Sequence, residues 1–144
     1  MNVFLNSGSL QENEDCVSSI VQLGDFFYLS AQLGKGDSIT EQAVSVCNEI
    51  VEVLSEFDLR FDHVVKFTVY LKNLKDKEEF LSVFKNYLEK PFPAVSFVGI
   101  NDLDDGAMIA VEGQGINTLR HEQAHKTQVV LMAAQAVMGA VGKY

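Results

Sequence analysis

Residues 63–71 alternate apolar and polar side chains, and this pattern constrains the fold more than any other feature of the chain. The apolar positions are Val65, Phe67, Val69 and Leu71, and the polar positions between them are Lys66, Thr68 and Tyr70. Successive side chains of a β-strand point to opposite faces of its sheet. The alternation therefore predicts a strand with one buried face, which other segments of the chain must cover.

Apolar side chains recur every three or four residues on both sides of this strand, which predicts two amphipathic helices. The first helix begins at a capping-box pattern formed by Ser38 and Glu41. The second begins at Asp76, which has Glu79 three residues later, and it ends before Pro91. Two helices of this kind can together cover one face of a sheet.

Four more segments are predicted strands, at residues 17–21, 26–30, 95–100 and 107–116. The order is thus β-β-α-β-α-β-β, where crossovers through the helices predict parallel pairing of the strand at 63–71 with its neighbours in sequence. Hairpins at both ends predict antiparallel pairing there. The expected fold is an α+β domain over residues 1–117, with a mixed sheet and two helices on one face. No segment of this domain covers the other face, so we expect a partner subunit to do so.

Charge and cysteine content exclude several classes of protein. The formal net charge is −9, and the only arginines are Arg60 and Arg120, whereas nucleic-acid binding depends largely on cations that neutralise phosphates. Two cysteines are too few for a disulfide scaffold, and Cys47 is expected to be a buried, inert thiol.

No apolar run reaches the roughly 18 residues that span a bilayer, and residues 1–10 do not resemble a secretory signal. We therefore expect a cytoplasmic protein that binds neither nucleic acid nor membranes.

Residues 118–144 form a predicted C-terminal helical extension, polar at first and almost entirely apolar over residues 129–141. Within it, His121 and His125 belong to the pattern H-E-x-x-H, in which two histidines one helical turn apart can share a zinc ion. Catalytic zinc needs a third protein ligand, and residues 126–144 contain no His, Asp, Glu or Cys. We therefore predict no metal site and keep zinc binding through the two histidines as an alternative.

Three segments and one glutamate agree in order and spacing with one known family. They are residues 24–32 (GDFFYLSAQ), 64–72 (VVKFTVYLK) and 91–96 (PFPAVS), together with Glu112. Over residues 15–117 the chain resembles the RidA/YjgF family of imine and enamine deaminases, also called endoribonuclease L-PSP-like. The resemblance implies a chorismate-mutase-like fold and a homotrimer with three small-molecule clefts between subunits. It also implies hydrolysis of imines and enamines to ketoacids and ammonia without a cofactor.

The resemblance also implies which residues form the site. Glu112 is the candidate catalytic residue, because a carboxylate can orient or activate the attacking water. The candidate ligand-binding residues are Val17, Ser30, Ala31, Gln32, Val95, Ser96 and Phe97. These residues come from three strands that the resemblance places around one cleft.

This chain departs from the family pattern at the position that should bind the substrate carboxylate. The family signature reads Pro-Ala-Arg-Ser, and Val95 stands in place of its arginine. Val17, Ala31 and Phe97 also differ from the family pattern, in which tyrosine, glycine and often cysteine or threonine are found. An arginine forms a bidentate, charge-assisted pair with a carboxylate. Without it, we expect weak or absent hydrolysis of 2-imino acids.

Three functions therefore remain open. The first is a divergent trimer that binds a small metabolite, uncharged or apolar, in its clefts and, if it is an enzyme, hydrolyses imines or enamines through Glu112 and water. The second is a non-catalytic ligand-binding or regulatory protein. The third is a zinc hydrolase that uses His121 and His125. The first two need no cofactor.

Overall fold

The computed structural model describes residues 2–5, 16–119, 132 and 134. Within these residues the chain forms one six-stranded sheet and two α-helices. The strands are β1 (Asn2–Leu5), β2 (Ile20–Leu23), β3 (Phe26–Leu33), β4 (Val64–Leu71), β5 (Ala94–Gly99) and β6 (Ile109–Ile116), and the helices are α1 (Ile39–Ser55) and α2 (Lys77–Phe84). The predicted α+β class, with a mixed sheet and two helices on one face, is confirmed. The sequence patterns do not predict β1.

Helices α1 and α2 pack against each other and cover one face of the sheet with an apolar core. Phe67 of β4 is fully buried, and its ring centroid lies 5.1 Å from that of Phe84 in α2, edge to face. Phe80 lies 4.9 Å from Phe84 and extends the same aromatic cluster. Cys47 of α1 is buried as predicted, and burial raises the pKa of its thiol to about 12. The thiol therefore stays protonated and unreactive at neutral pH.

The two helices begin differently from each other. At α1 the predicted cap is present, because the side chain of Ser38 accepts a hydrogen bond from the N–H of Glu41 at 3.1 Å. At α2 the predicted cap is wrong, because the side chain of Asp76 makes no capping hydrogen bond. Asn73 instead accepts from the N–H of Lys75 at 3.0 Å and starts a short 3₁₀ turn that runs into α2. Asp76 is already helical at that point, so its side chain no longer occupies a cap position.

The strand order is β1-β2-β3-β6-β4-β5. The predicted β2–β3 hairpin and the predicted parallel pairing of β4 with β5 are both confirmed. The other two predicted pairings are wrong, because β6 lies between β3 and β4 and is antiparallel to both. A Cβ atom at Gly115 of β6 would overlap the Phe27 ring and the His63 carbonyl, so the closest approach of these strands requires a glycine.

A β-bulge changes which residues of β4 face the core. The register against β6 shifts between Val64 and Lys66, so that Val64 is buried whereas Val65 is 50% exposed. The predicted place of Val65 in the buried row is therefore wrong. A bulge adds one residue to a strand and moves the preceding side chains to the other face. From Lys66 onward the predicted alternation holds.

Candidate functional site

The sheet face opposite the helices carries a patch of polar side chains, which we call the open face. It includes Lys66, Thr68 and Tyr70 of β4, Ser96 of β5, and Glu112 and Gln114 of β6. In the register of the strands, Thr68 lies beside Ser96 on one side and opposite Glu112 on the other, and Lys66 lies opposite Gln114. Side chains opposite each other in neighbouring strands project from the same face and can contact each other.

A cavity of about 300 Å³ opens on this face, and we call it the Glu112 pocket. Its polar lining includes Ser18, Ser30, Lys66, Thr68, Glu112 and Gln114. The volume lies at the lower end of the range typical of small-molecule sites, which is roughly 300–1,000 Å³. Val21 and Leu29 add an apolar part to the lining, so the pocket suits a small ligand with both polar and apolar groups.

The carboxylate of Glu112 is held by a tyrosine. Tyr70 donates its hydroxyl proton to Oε1 of Glu112, with the two oxygens 2.6 Å apart. This hydrogen bond raises the pKa of Tyr70 above its usual value of 10.0, and partial burial and the negative charge of Glu112 raise it further. Tyr70 therefore remains a hydrogen-bond donor at neutral pH and fixes the orientation of the carboxylate.

Replacing Glu112 with alanine is expected to lower the pKa of Tyr70 towards 10.0, since the hydrogen bond and the adjacent negative charge both disappear. The phenolate absorbance near 295 nm, followed from pH 8 to 12, measures this shift when the curve of Tyr70→Phe is subtracted. Glu78→Ala, at an exposed position of α2, serves as the control. An unchanged Tyr70 titration in Glu112→Ala would contradict the pairing.

Lys66 supplies a positive charge to the pocket. Its ammonium group donates a hydrogen bond to the hydroxyl of Ser96. Among the described residues, no carboxylate lies within ion-pair distance of Lys66, and no other lysine or arginine lines the pocket. Lys66 is not among the site residues that the sequence predicts. The strand pattern did place Lys66 on the polar side of β4, which could have marked it as a candidate. What the sequence did not predict is the pairing of β4 with β6, which brings Lys66 near Glu112.

Several of the predicted site residues lie in or beside the Glu112 pocket. Glu112 and Ser30 line it, and Ser96 contacts Lys66 at its edge. The side-chain amide of Gln32 donates to the carbonyl oxygen of Ser30 at 3.1 Å, and Ala31, between these two residues, is exposed. The structure thus brings predicted residues from β3, β5 and β6 into or beside one pocket.

Three other predicted residues lie apart from this pocket. Val95 is in register with Phe67 and packs against the core, because alternate residues of β5 face the helices. Phe97 also faces the helices, with its ring 6.2 Å from that of Phe80. Val17 precedes β2 and is 71% exposed, next to a lining residue of the pocket, Ser18. Within one subunit, therefore, the replaced signature position is on the opposite side of the sheet from Glu112.

The described residues contain no group of three or more His, Cys, Asp or Glu side chains placed to hold a metal ion. His121 and His125, and nearly all of the predicted C-terminal extension, lie outside the described residues. In the part of the chain that the structure describes, no helix has both the length and the apolar character needed to cross a membrane.

Comparison with known sequences identifies several relatives. The family model of endoribonuclease L-PSP matches residues 13–116. The "Putative regulator AldR" of Lactococcus lactis is 38% identical over 77 residues, which are 54% of this chain and 61% of that protein, so the match covers less than two thirds of it. The 2-iminobutanoate/2-iminopropanoate deaminase of Dermatophagoides farinae is 28% identical over 103 residues, which cover 66% of this chain and 80% of the deaminase.

Solved structures with the same fold lead to the same family. Yeast Mmf1 superimposes with a TM-score of 0.73 at 24% identity, covering 81% of this chain and 98% of Mmf1. RidA from an Antarctic Psychrobacter bacterium superimposes with a TM-score of 0.68 at 27% identity, covering 72% of this chain and 90% of that one. Together with the family model, which extends from β2 to the end of β6, these similarities show that the chain belongs to the endoribonuclease L-PSP family, which is the family of RidA and YjgF.

Proposed function

We propose that the Glu112 pocket binds a small metabolite and that Glu112 orients a water molecule there for the hydrolysis of an imine or enamine. The observation that carries this proposal is the hydrogen bond from Tyr70, which fixes the carboxylate of Glu112 beside a polar cavity. The relative from Dermatophagoides farinae, of which this chain covers 80%, is named as a deaminase of 2-iminobutanoate and 2-iminopropanoate.

The proposed reaction needs one group that both accepts and donates a proton. Glu112 accepts a proton from water as the water oxygen attacks the carbon of the C=N bond, and it then returns that proton to the nitrogen. The resulting intermediate carries a hydroxyl group and an amino group on the same carbon. Glu112 takes the hydroxyl proton and passes it to the amino nitrogen, so the C–N bond breaks, the oxygen becomes a ketone oxygen and ammonia leaves. The hydroxyl groups of Ser30 and Thr68 lie in the same lining and can position the substrate by hydrogen bonds.

We also propose that turnover of 2-imino acids is weak compared with that of relatives that keep the signature arginine. The planar guanidinium of an arginine binds both oxygens of a carboxylate and fixes its orientation. In this chain the corresponding position is Val95, which packs against the core. A substrate held by fewer directed contacts spends less time in the geometry that the attack of water requires.

The assembly is part of the proposal. We propose a homotrimer with ligand clefts between subunits, located in the cytoplasm. Apolar side chains are also exposed on the open face. The exposed fraction is 55% for Phe26, 44% for Tyr28 and 50% for Val65. Contiguous exposed apolar surface of this kind is typical of an interface. Sedimentation equilibrium is expected to give the mass of three chains, and a monomer across the micromolar range would contradict the trimer.

A non-catalytic binding or regulatory role is the second candidate function. It is favoured by the similarity to AldR of Lactococcus lactis, whose name describes a regulator, and by the loss of the signature arginine at Val95. In this case the pocket would bind a metabolite without converting it, and binding would change the association of the protein with a partner.

Two measurements on the wild-type protein distinguish these candidates. The first is ligand-observed NMR with 2-oxobutanoate as a stable probe of the pocket. The second is ammonia release from 2-iminobutanoate generated in situ, compared with the spontaneous rate. Binding together with release above the spontaneous rate supports the hydrolase. Binding alone supports the regulatory role, and the absence of both contradicts a metabolite site in this pocket.

A further inference from the structure

We propose that Lys66 is the anion-binding residue of the Glu112 pocket and that its ammonium group takes the role of the missing signature arginine. This inference rests on the proposed function, because it requires that the pocket binds a small metabolite. It names the ligand class more closely. The ligand is a small molecule with one carboxylate next to the carbon that reacts, in contrast to the uncharged or apolar ligand expected from the sequence.

The strand register places Lys66 and Glu112 at a distance that suits such a ligand. Lys66 is opposite Gln114, and Thr68 is opposite Glu112, so Lys66 and Glu112 are diagonal neighbours on the same face. Diagonal neighbours in an antiparallel pair are roughly 7–8 Å apart at the backbone. The two side chains form no ion pair in the described structure, and both line the cavity. A carboxylate bound at Lys66 would therefore leave the adjacent carbon near the water that Glu112 orients.

The surroundings of Lys66 favour an anion. Its ammonium group has three donors, and the hydroxyl of Ser96 is the hydrogen-bond acceptor that the structure gives it. The lysine is half-buried in the sheet, where a charge is less well solvated than at an exposed position and interacts more strongly with a counter-ion. In a chain with a net charge of −9, the ammonium group of Lys66 gives an anionic ligand a local site of attraction within the pocket.

A single ammonium group explains why an anion could bind and still be converted slowly. Lysine acts as a point charge on a flexible stem, whereas arginine forms two parallel hydrogen bonds in a fixed plane. Lys66 can therefore supply affinity for a carboxylate without the orientation that an arginine supplies. Loss of the arginine therefore affects binding and catalysis differently. The affinity for the carboxylate is partly kept, whereas the rate of imine hydrolysis is reduced.

The test compares a charged and an uncharged probe across matched variants. The probes are 2-oxobutanoate, a monoanion, and its methyl ester, which has no charge, and NMR titration gives the Kd of each. The variants are Lys66→Met, Lys66→Arg and the control Lys72→Met. Lys72 is an exposed lysine that directly follows β4, and its ammonium group lies 3.6 Å from a carboxylate oxygen of Asp102.

We expect Lys66→Met to weaken binding of 2-oxobutanoate by about tenfold or more, which is the usual size of a lost hydrogen bond to a charged group. Lys66→Arg should stay close to the wild type, Lys72→Met should not differ from it, and the ester should bind all four proteins equally weakly. Equal affinity of Lys66→Met and wild type for the anion would overturn the role of Lys66 and leave the pocket intact. If the wild type binds neither probe, both this inference and the proposed function are wrong.

Discussion

Glu112→Gln is expected to lower the rate of imine hydrolysis by about 10²- to 10⁴-fold, the usual contribution of a general acid–base residue. The amide oxygen of glutamine can still accept the hydrogen bond from Tyr70, so the geometry of the pocket is retained while the proton acceptor is lost. Ammonia release from 2-iminobutanoate, corrected for the spontaneous reaction, measures the effect. Binding of 2-oxobutanoate should change much less, because Glu112 is not the group that binds the carboxylate.

The control for this experiment is Glu78→Gln, which removes the same charge from an exposed position on α2, at a distance from the open face. It should hydrolyse the imine at the wild-type rate. Full activity of Glu112→Gln would rule out acid–base catalysis by Glu112. If the wild type and both variants show only the spontaneous rate while binding is kept, the regulatory function is the correct one.

Phe67→Ala is expected to lower the free energy of unfolding by about 3–5 kcal/mol, the range measured for large-to-small changes of buried aromatic residues. Phe67 is fully buried and lies 5.1 Å from both Phe61 and Phe84, measured between ring centroids. Its removal opens a cavity between β4 and α2, which the surrounding side chains fill only in part. Urea denaturation followed by circular dichroism, at one fixed protein concentration, gives the difference.

Phe92→Ala is the matched control, because it deletes the same side chain at a position that is 62% exposed. A change of about 0.5 kcal/mol or less is expected there, as for most surface substitutions. Similar losses for both variants would show that the core is not centred on the contact between β4 and α2. A loss at Phe92 that disappears as the protein is diluted would instead reveal a contact between subunits.

The helices and most of the strands could be predicted because each has a local pattern. The alternation from Lys66 to Leu71 and the capping signal at Ser38 both depend on residues close together in sequence, and both were correct. The strand order was not predictable in this way. Insertion of β6 between β3 and β4 depends on how closely segments distant in sequence can approach, and Gly115 is the residue that permits this approach.

Some residues of the candidate site could also be predicted from local sequence, whereas others could be identified only from the pairing of the strands. Glu112 and Ser30 could be proposed from a resemblance of sequence segments, and the structure places both in one pocket. Lys66 and Tyr70 were missed as site residues, although the strand pattern had put both on the polar face. Their relation to Glu112 exists only because β4 pairs with β6. The expected apolar cleft beside Val95 is a site between subunits and stays a prediction, since within one subunit Val95 packs against the core.

Secondary structure, the covered face of the sheet and the expectation that nucleic acid is not bound follow from periodicity and charge, which belong to short segments or to the chain as a whole. The order of the strands, the bulge that buries Val64 and the cation beside Glu112 depend on pairing between segments about 40 to 90 residues apart. Such pairing is chosen by the fit of the whole core, because each strand could satisfy its backbone hydrogen bonds with more than one neighbour.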